Sequence, residues 1–151
     1  MSVALLDVNV LVALFHPDHI HHEIAHDWFD GQRTHGWATC PTTENGLVRR
    51  LTHPKLATEI SRPVDVAERL RTFRSSGHHH FWPDAVSLTD ERVFNCSFIR
   101  GHRQVTDVYL LGLAKSAGGA LATFDGAIQL GAVKGATKSN LMVIGPAPRS
   151  A

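Results

Sequence analysis

Hydrophobic residues along this chain alternate between two spacings. Val3–Leu6 is a short unbroken apolar run suited to a buried strand, and Val8–Phe15 after it reads as a helix. His21–Phe29 carries Ile24, Ala25 and Trp28 on one stripe, as an amphipathic helix does. Gly36–Cys40 ("GWATC") predicts a second short strand. Thr43–Leu51 predicts a helix closed by His53-Pro54, because the residue before a proline is driven out of the helical region. Pro63–Phe73 opens on proline and sets Val66, Ala67, Leu70 and Phe73 at helical spacing, with arginines opposite. His79–Trp82 is a candidate strand, and Gln104–Ser116 is a strongly apolar helix stopped by Gly118-Gly119. Ala120–Phe124 and Leu141–Ile144 supply the last strands. Strand and helix alternate with no internal repeat and no linker, which predicts an α/β/α sandwich around a mostly parallel sheet. One domain over residues 1–145 is expected, with residues 146–151 ("GPAPRSA" begins one earlier) a frayed tail.

Composition narrows the picture. The 151 residues are 43% hydrophobic and 19% charged, so the chain buries a real core and is not disordered. A net charge of +1 means that a nucleic-acid ligand has to be held by a local basic patch. Cys40 and Cys96 are too few and too far apart for a disulfide framework, and read as thiols of a reducing cytosol. The N-terminal apolar run lacks the basic start of a signal peptide and carries Asp7 in its middle, and no segment is long enough to span a membrane. A soluble, cytoplasmic protein is expected.

The chemistry lies in the acids. An ionised carboxylate within "LLDVNVLVAL" costs several kcal/mol unless a cation or hydrogen bonds compensate. Asp7 ends the first predicted strand, Glu44 opens the helix after "WATC", and Asp125 ends the strand "ALATF". Asp107 stands in the first turns of the helix that feeds that strand. Ligands of open α/β sheets bind beyond the carboxyl ends of the strands, so one sheet edge would gather these four of the chain's 14 acidic residues. Each has an ordinary alternative: Glu44 as a helix-dipole partner, Asp125-Gly126 as a turn, Asp107 as helix-start chemistry. Gathered together they repel unless a cation neutralises them, and oxygen ligands select Mg²⁺ or Mn²⁺ over zinc. Asn9 is placed to donate to a carboxylate or to hold a water there.

"LLDVNVLVAL", "TTENGLVR", "QVTDVYLLGLA" and "LATFDGAI" resemble, in order and spacing, the acidic motifs of PIN-domain nucleases. They look most like VapC toxins of bacterial toxin–antitoxin pairs, in a subgroup common in mycobacteria. The resemblance implies a PIN-like fold, with Asp7, Glu44, Asp107 and Asp125 as catalytic and metal-binding quartet and Asn9, Thr106 and Thr123 as supporting polar groups. It also implies Mg²⁺-dependent endoribonuclease activity on transfer or ribosomal RNA, leaving a 5′-phosphate and a 3′-hydroxyl. A homodimer and a cognate antitoxin of the VapB type are the implied partners. Candidate RNA-binding residues are Arg49, Arg50 and Lys55, with Arg69, Arg71 and Arg74 as a second row.

Three other readings compete with this one. "HEIAH" places His22 and His26 at zinc-protease spacing with Glu23 between them, but no third ligand follows clearly and the neighbourhood is saturated with histidine. A phosphatase with Asp7 as nucleophile needs a second acid where Asn9 stands. A non-catalytic PIN-like binding module would not need all four acids. His78–His80 reads as strand edge or loop.

Overall fold

The computed structural model describes residues 2–56 and 62–145; the predicted tail, 146–151, lies outside them. Five strands form one parallel sheet: β1 (Ala4–Leu6), β2 (Trp37–Thr39), β3 (His79–Phe81), β4 (Ala120–Thr123) and β5 (Leu141–Val143). Their order is β3-β2-β1-β4-β5, with β1 at the centre. The chain winds outward from β1 on one side and then returns to pair β4 on the other. The strand order therefore reverses between β1 and β4, and the crevice beyond their carboxyl ends is where such sheets bind ligands. No helix among the described residues is long and apolar enough to cross a membrane.

Among the described residues five α-helices cover the sheet: α1 (Val8–Phe15), α2 (His22–Gln32), α3 (Pro41–Leu51), α4 (Pro63–Arg74) and α5 (Val105–Ser116). Period-two alternation in the strands divides the core in two. Ala4, Leu6, Trp37 and Ala122 face a layer built by α1 to α4, while Leu5, Ala38 and Leu121 face α5 and the irregular chain around Phe94, Ile128 and Val133. Phe15, Phe29, Trp37 and Phe73 interlock in the first layer, with ring centroids 4.6–5.4 Å apart. The second layer is only partly helical. Phe94 bridges Val133 in its middle and fills the space left by the absent side chain of Gly112 in α5.

Element ends depart from the sequence expectations in ways that have local causes. The third helix begins at Pro41, two residues before the expected Thr43. Proline at the first helical position has no amide hydrogen to lose and a backbone angle already helical. Cys40 is the N-cap, its amide donating to Thr43 Oγ1 at 3.0 Å. The second helix runs past Phe29 to Gln32, whose buried amide donates to the carbonyls of Ser2 and Gly36 at 2.9 and 3.0 Å. The end of α5 matches its glycines: Gly118 has φ +78°, its amide donates to Lys115 O, and that of Gly119 to Ala114 O. This double bond is the Schellman closure that glycine favours.

A candidate active site at the carboxyl edge of the sheet

Asp7 follows the last residue of β1 and is the N-cap of α1, yet its side chain closes no capping hydrogen bond. It is 5% exposed. One carboxylate oxygen accepts from Thr123 Oγ1 at 2.9 Å, which ties the end of β1 to the end of β4. Burial pushes the Asp7 carboxyl above the usual range; the Thr123 hydroxyl and the Val8 and Asn9 amides pull against that, and Asp125 adds to it. The predicted strand and helix boundaries thus put a costly, incompletely compensated carboxylate where the strand order reverses.

A cavity of about 240 Å³ opens beside it, lined among others by Asp7, Asn9, Arg49, Arg50, Thr106 and Asp107. Asp107 reaches it from the first turn of α5. Burial first, then the fields of Asp7 and Asp125, push its carboxyl up to about 6. Asp125 is exposed, in the turn after β4, where one oxygen accepts from the Ala127 amide at 2.8 Å. Asp125 thus sits in a turn, and its charge nevertheless reaches both other acids.

Glu44 is placed differently. Its carboxylate accepts from Thr39 Oγ1 at 2.6 Å and pairs with Arg74 at 3.2 Å. It lines an adjoining cleft of about 250 Å³ between α3 and α4 with Arg71 and Arg74. His79 Nε2 lies 2.7 Å from Thr39 Oγ1. Since the threonine proton goes to Glu44, the imidazole donates to the threonine, and the chain runs His79 to Thr39 to Glu44. Burial, then Arg74 and His80, hold His79 down at about 4, so it is neutral in this network at ordinary pH.

Of the supporting groups, Thr123 meets Asp7 by its hydrogen bond and Thr106 lies in the cavity wall with Asp7 and Asp107. Asn9 turns its carbonyl oxygen to Arg50, accepting at 3.2 Å. Arg49 and Arg50 line the cavity, whereas Lys55 lies exposed in the turn beyond α3. Arg69 sits over the Phe15 ring and donates to Phe15 O at 2.9 Å, so the second basic row is divided between packing and Glu44. Sequence reading missed Thr39, which holds Glu44, and Thr42 and Gly46, which line the cavity with Asp7. Thr39 had a signal, being polar at the end of a buried strand like Asp7 and Thr123. Gly46 had none: it lets α3 approach α1, where a Cβ would stand 2.6 Å from Val8 Cγ2.

"HEIAH" is explained by packing. His22 Nδ1 lies 2.6 Å from Ala13 O and His26 Nε2 lies 3.0 Å from Leu14 O. Each bonded ring nitrogen carries the proton, and among the described residues no third His, Cys, Asp or Glu joins the pair to hold a metal. The i, i+4 spacing docks α2 against the end of α1.

The acidic edge suits a hard cation by its donor chemistry. Asp7 and Asp107 offer only oxygen to one cavity, and burial first and neighbouring carboxylates second raise their pKa values, so a cation there would offset the cost of their charges. Among the described residues no three His, Cys, Asp or Glu side chains converge as placed. Mg²⁺ commonly takes one or two carboxylates and completes its shell with water, so the cavity pair meets that need.

Comparison with known proteins agrees with this architecture. Residues 4–132 match the family model described as the PIN domain. Ribonuclease VapC44 of Mycobacterium tuberculosis is 44% identical over 143 residues, covering 93% of this chain and 99% of that protein. Ribonuclease VapC38 of the same species is 47% identical over 126 residues, 83% of this chain and 87% of that protein. Ribonuclease VapC39 is 42% identical over 125 residues, 83% and 90% of the two chains. By the matched span, the parallel sheet and this degree of identity, the chain belongs to the PIN-domain family, in company with the VapC proteins.

Proposed function

We propose that this protein is a divalent-metal-dependent endoribonuclease toxin, held in check by a cognate antitoxin of the VapB type. The observation that carries the reading is the wall of one cavity, in which two carboxylates, Asp7 and Asp107, stand beside two arginines, Arg49 and Arg50. Phosphodiester hydrolysis asks for that pairing: carboxylates to hold a cation, and guanidinium groups to hold the phosphate. The similarity to proteins named ribonucleases supports RNA as the substrate class.

Asp7 and Asp107 would hold Mg²⁺ or Mn²⁺, with Asp125 contributing charge from the rim. The ion, when bound, supplies Lewis acidity to the phosphoryl oxygens and lowers the pKa of water. Thr123 fixes one Asp7 oxygen and so aims the other. Arg50, steadied by Asn9, and Arg49 orient the phosphate. Glu44 stands one step back, its charge balanced by Arg74 and its position set by Thr39. A homodimer, as the family resemblance implies, belongs to the same proposal and is read by sedimentation.

Substitution Asp7→Asn keeps the packing volume and removes the charge. Loss of Mg²⁺-dependent RNA cleavage by purified Asp7→Asn and by Asp107→Asn, with circular dichroism unchanged, is the expected result. Glu23→Ala, on the exposed side of α2, should cut RNA as wild type does. Wild-type rates in either aspartate variant would overturn the assignment.

A further inference from the structure

The acidic cavity accounts for a phosphate and leaves the bases beside it without a seat. The loop between α1 and α2 supplies one. His21 lies on the Phe124 ring at a centroid distance of 4.7 Å, tilted by 35°. His19 stacks on the same ring at 6.4 Å and 19°, and the two imidazoles are 5.7 Å apart. All three rings are half-buried, and Ile20 between the histidines is 87% exposed.

Two links tie this cluster to the cavity, one through the chain and one through charge. Phe124 separates Thr123, the hydrogen-bond donor to Asp7, from Asp125. Arg50, in the cavity wall, is near enough for its charge to act on His19. The loop is also pre-shaped. The Asp18 amide donates to His16 Nδ1 at 3.1 Å and the His21 amide to His19 Nδ1 at 3.0 Å, and each imidazole thereby fixes its own turn. A charged flank, partly exposed flat rings and a loop already held in shape are what proteins use to grip an unpaired nucleobase.

We infer that His19, His21 and Phe124 form a stacking platform that seats a base of single-stranded RNA next to the phosphate held at the acidic cavity. The inference rests on the ribonuclease reading for the class of ligand, and on ring geometry for the place. It gives the histidine-rich loop a positioning role in substrate choice.

Two substitutions at His19 separate stacking from loop shape. Phenylalanine keeps a ring and loses the Nδ1 acceptor; asparagine keeps an acceptor for the amide two residues on and loses the ring. His21→Phe and His21→Asn repeat the contrast where no side-chain hydrogen bond is at stake. The probe is a short single-stranded RNA carrying 2-aminopurine, titrated without metal so that binding is read apart from cleavage. Wild type and both phenylalanine variants should quench the fluorophore. The asparagine variants should bind about 5- to 150-fold more weakly, the range that loss of one base stack produces. With Mg²⁺ added, the same variants should raise KM and spare kcat.

Equal binding by all variants, or loss in the phenylalanine and retention in the asparagine variants, would overturn the platform. So would weakened capture of a protein partner with RNA binding intact. Wild-type RNA cleavage with indifferent histidine variants removes the platform and leaves the nuclease standing. The expected pattern of quenching without any cleavage by wild type removes the nuclease and leaves the platform.

Discussion

Asp107 is partly buried beside two other carboxylates, and its pH behaviour follows from burial first and from those charges second. In the native state its carboxyl is pushed up to about 6, from 3.8 in a free side chain. Between those values the folded protein keeps a proton that the unfolded chain has released, so this group lowers stability as pH rises through the interval. His79, held down at about 4 against 6.5, acts in the opposite sense: its share of stability is present above 6.5 and lost as pH falls toward 4. The two overlap, so a single pH profile of wild type hides both. The difference between Asp107→Asn and wild type isolates the first. In EDTA the variant should melt above wild type at pH 7, and the gap should close as the pH is lowered to about 4. A gap independent of pH would mean that folding leaves the Asp107 carboxyl unshifted, by burial and by neighbouring charge alike. The residue identities behind this were legible in the sequence. Their strengths were not, because a pKa depends on burial and on charges brought near by folding.

At the level of elements, glycine marks where helices touch. Gly46 in α3 faces Val8 of α1, where a Cβ would stand 2.6 Å from Cγ2. Valine is stiff at χ1, so the helices rather than the side chain have to move. Gly46→Ala gains about 1 kcal/mol of helix propensity and loses about 1–3 kcal/mol to overpacking. A lower melting temperature and a weaker RNA cleavage rate are expected, since both helices also wall the acidic cavity. Gly31 in α2 is the control, with nothing within 4 Å of its added Cβ. Gly31→Ala should raise stability by a few tenths to about 1 kcal/mol and leave cleavage unchanged. Denaturant midpoints of the two variants give the comparison directly. If they shift in the same direction, α1 and α3 have room for a Cβ at Gly46 and the close approach to Val8 is not a constraint.

Across the whole molecule the acidic edge links metal and stability. Metal-free protein holds Asp7 and Asp107 in one wall with Asp125 close by, and the unfolded chain separates them. Magnesium at about 100 times its dissociation constant should add about 2.7 kcal/mol if it binds the native state alone. For a chain of about 150 residues that corresponds to a rise of roughly 5–10 °C in Tm. Asp7→Asn should melt at or above wild type in EDTA, where a repelling charge is gone, and below it in saturating Mg²⁺, where a ligand is gone. Calcium, larger and less exacting in geometry, should restore part of the stability without supporting cleavage. Equal destabilisation in both media would make Asp7 a structural residue.

Periodicity determined the elements by itself, because spacing of apolar residues is a local property of the chain. The strands around Leu5, Ala38 and Leu121, the proline-opened helix at Pro63 and the Gly118 stop are all written in their own neighbourhoods. The alternation of strand with helix further implied a parallel sheet, and with it the edge where Asp7 and Asp125 emerge. Tertiary structure decided what those residues meet. It joined Thr123 to Asp7 across 116 positions of sequence and drew Glu44 toward Arg74, out of the cavity that Asp7 shares with Asp107. It turned the rings of "HEIAH" onto the end of α1 and laid His19 and His21 on Phe124. Such contacts join segments whose separation along the chain carries no information about their distance in space. Only the packing of one layer on another sets which side chain a carboxylate or an imidazole faces.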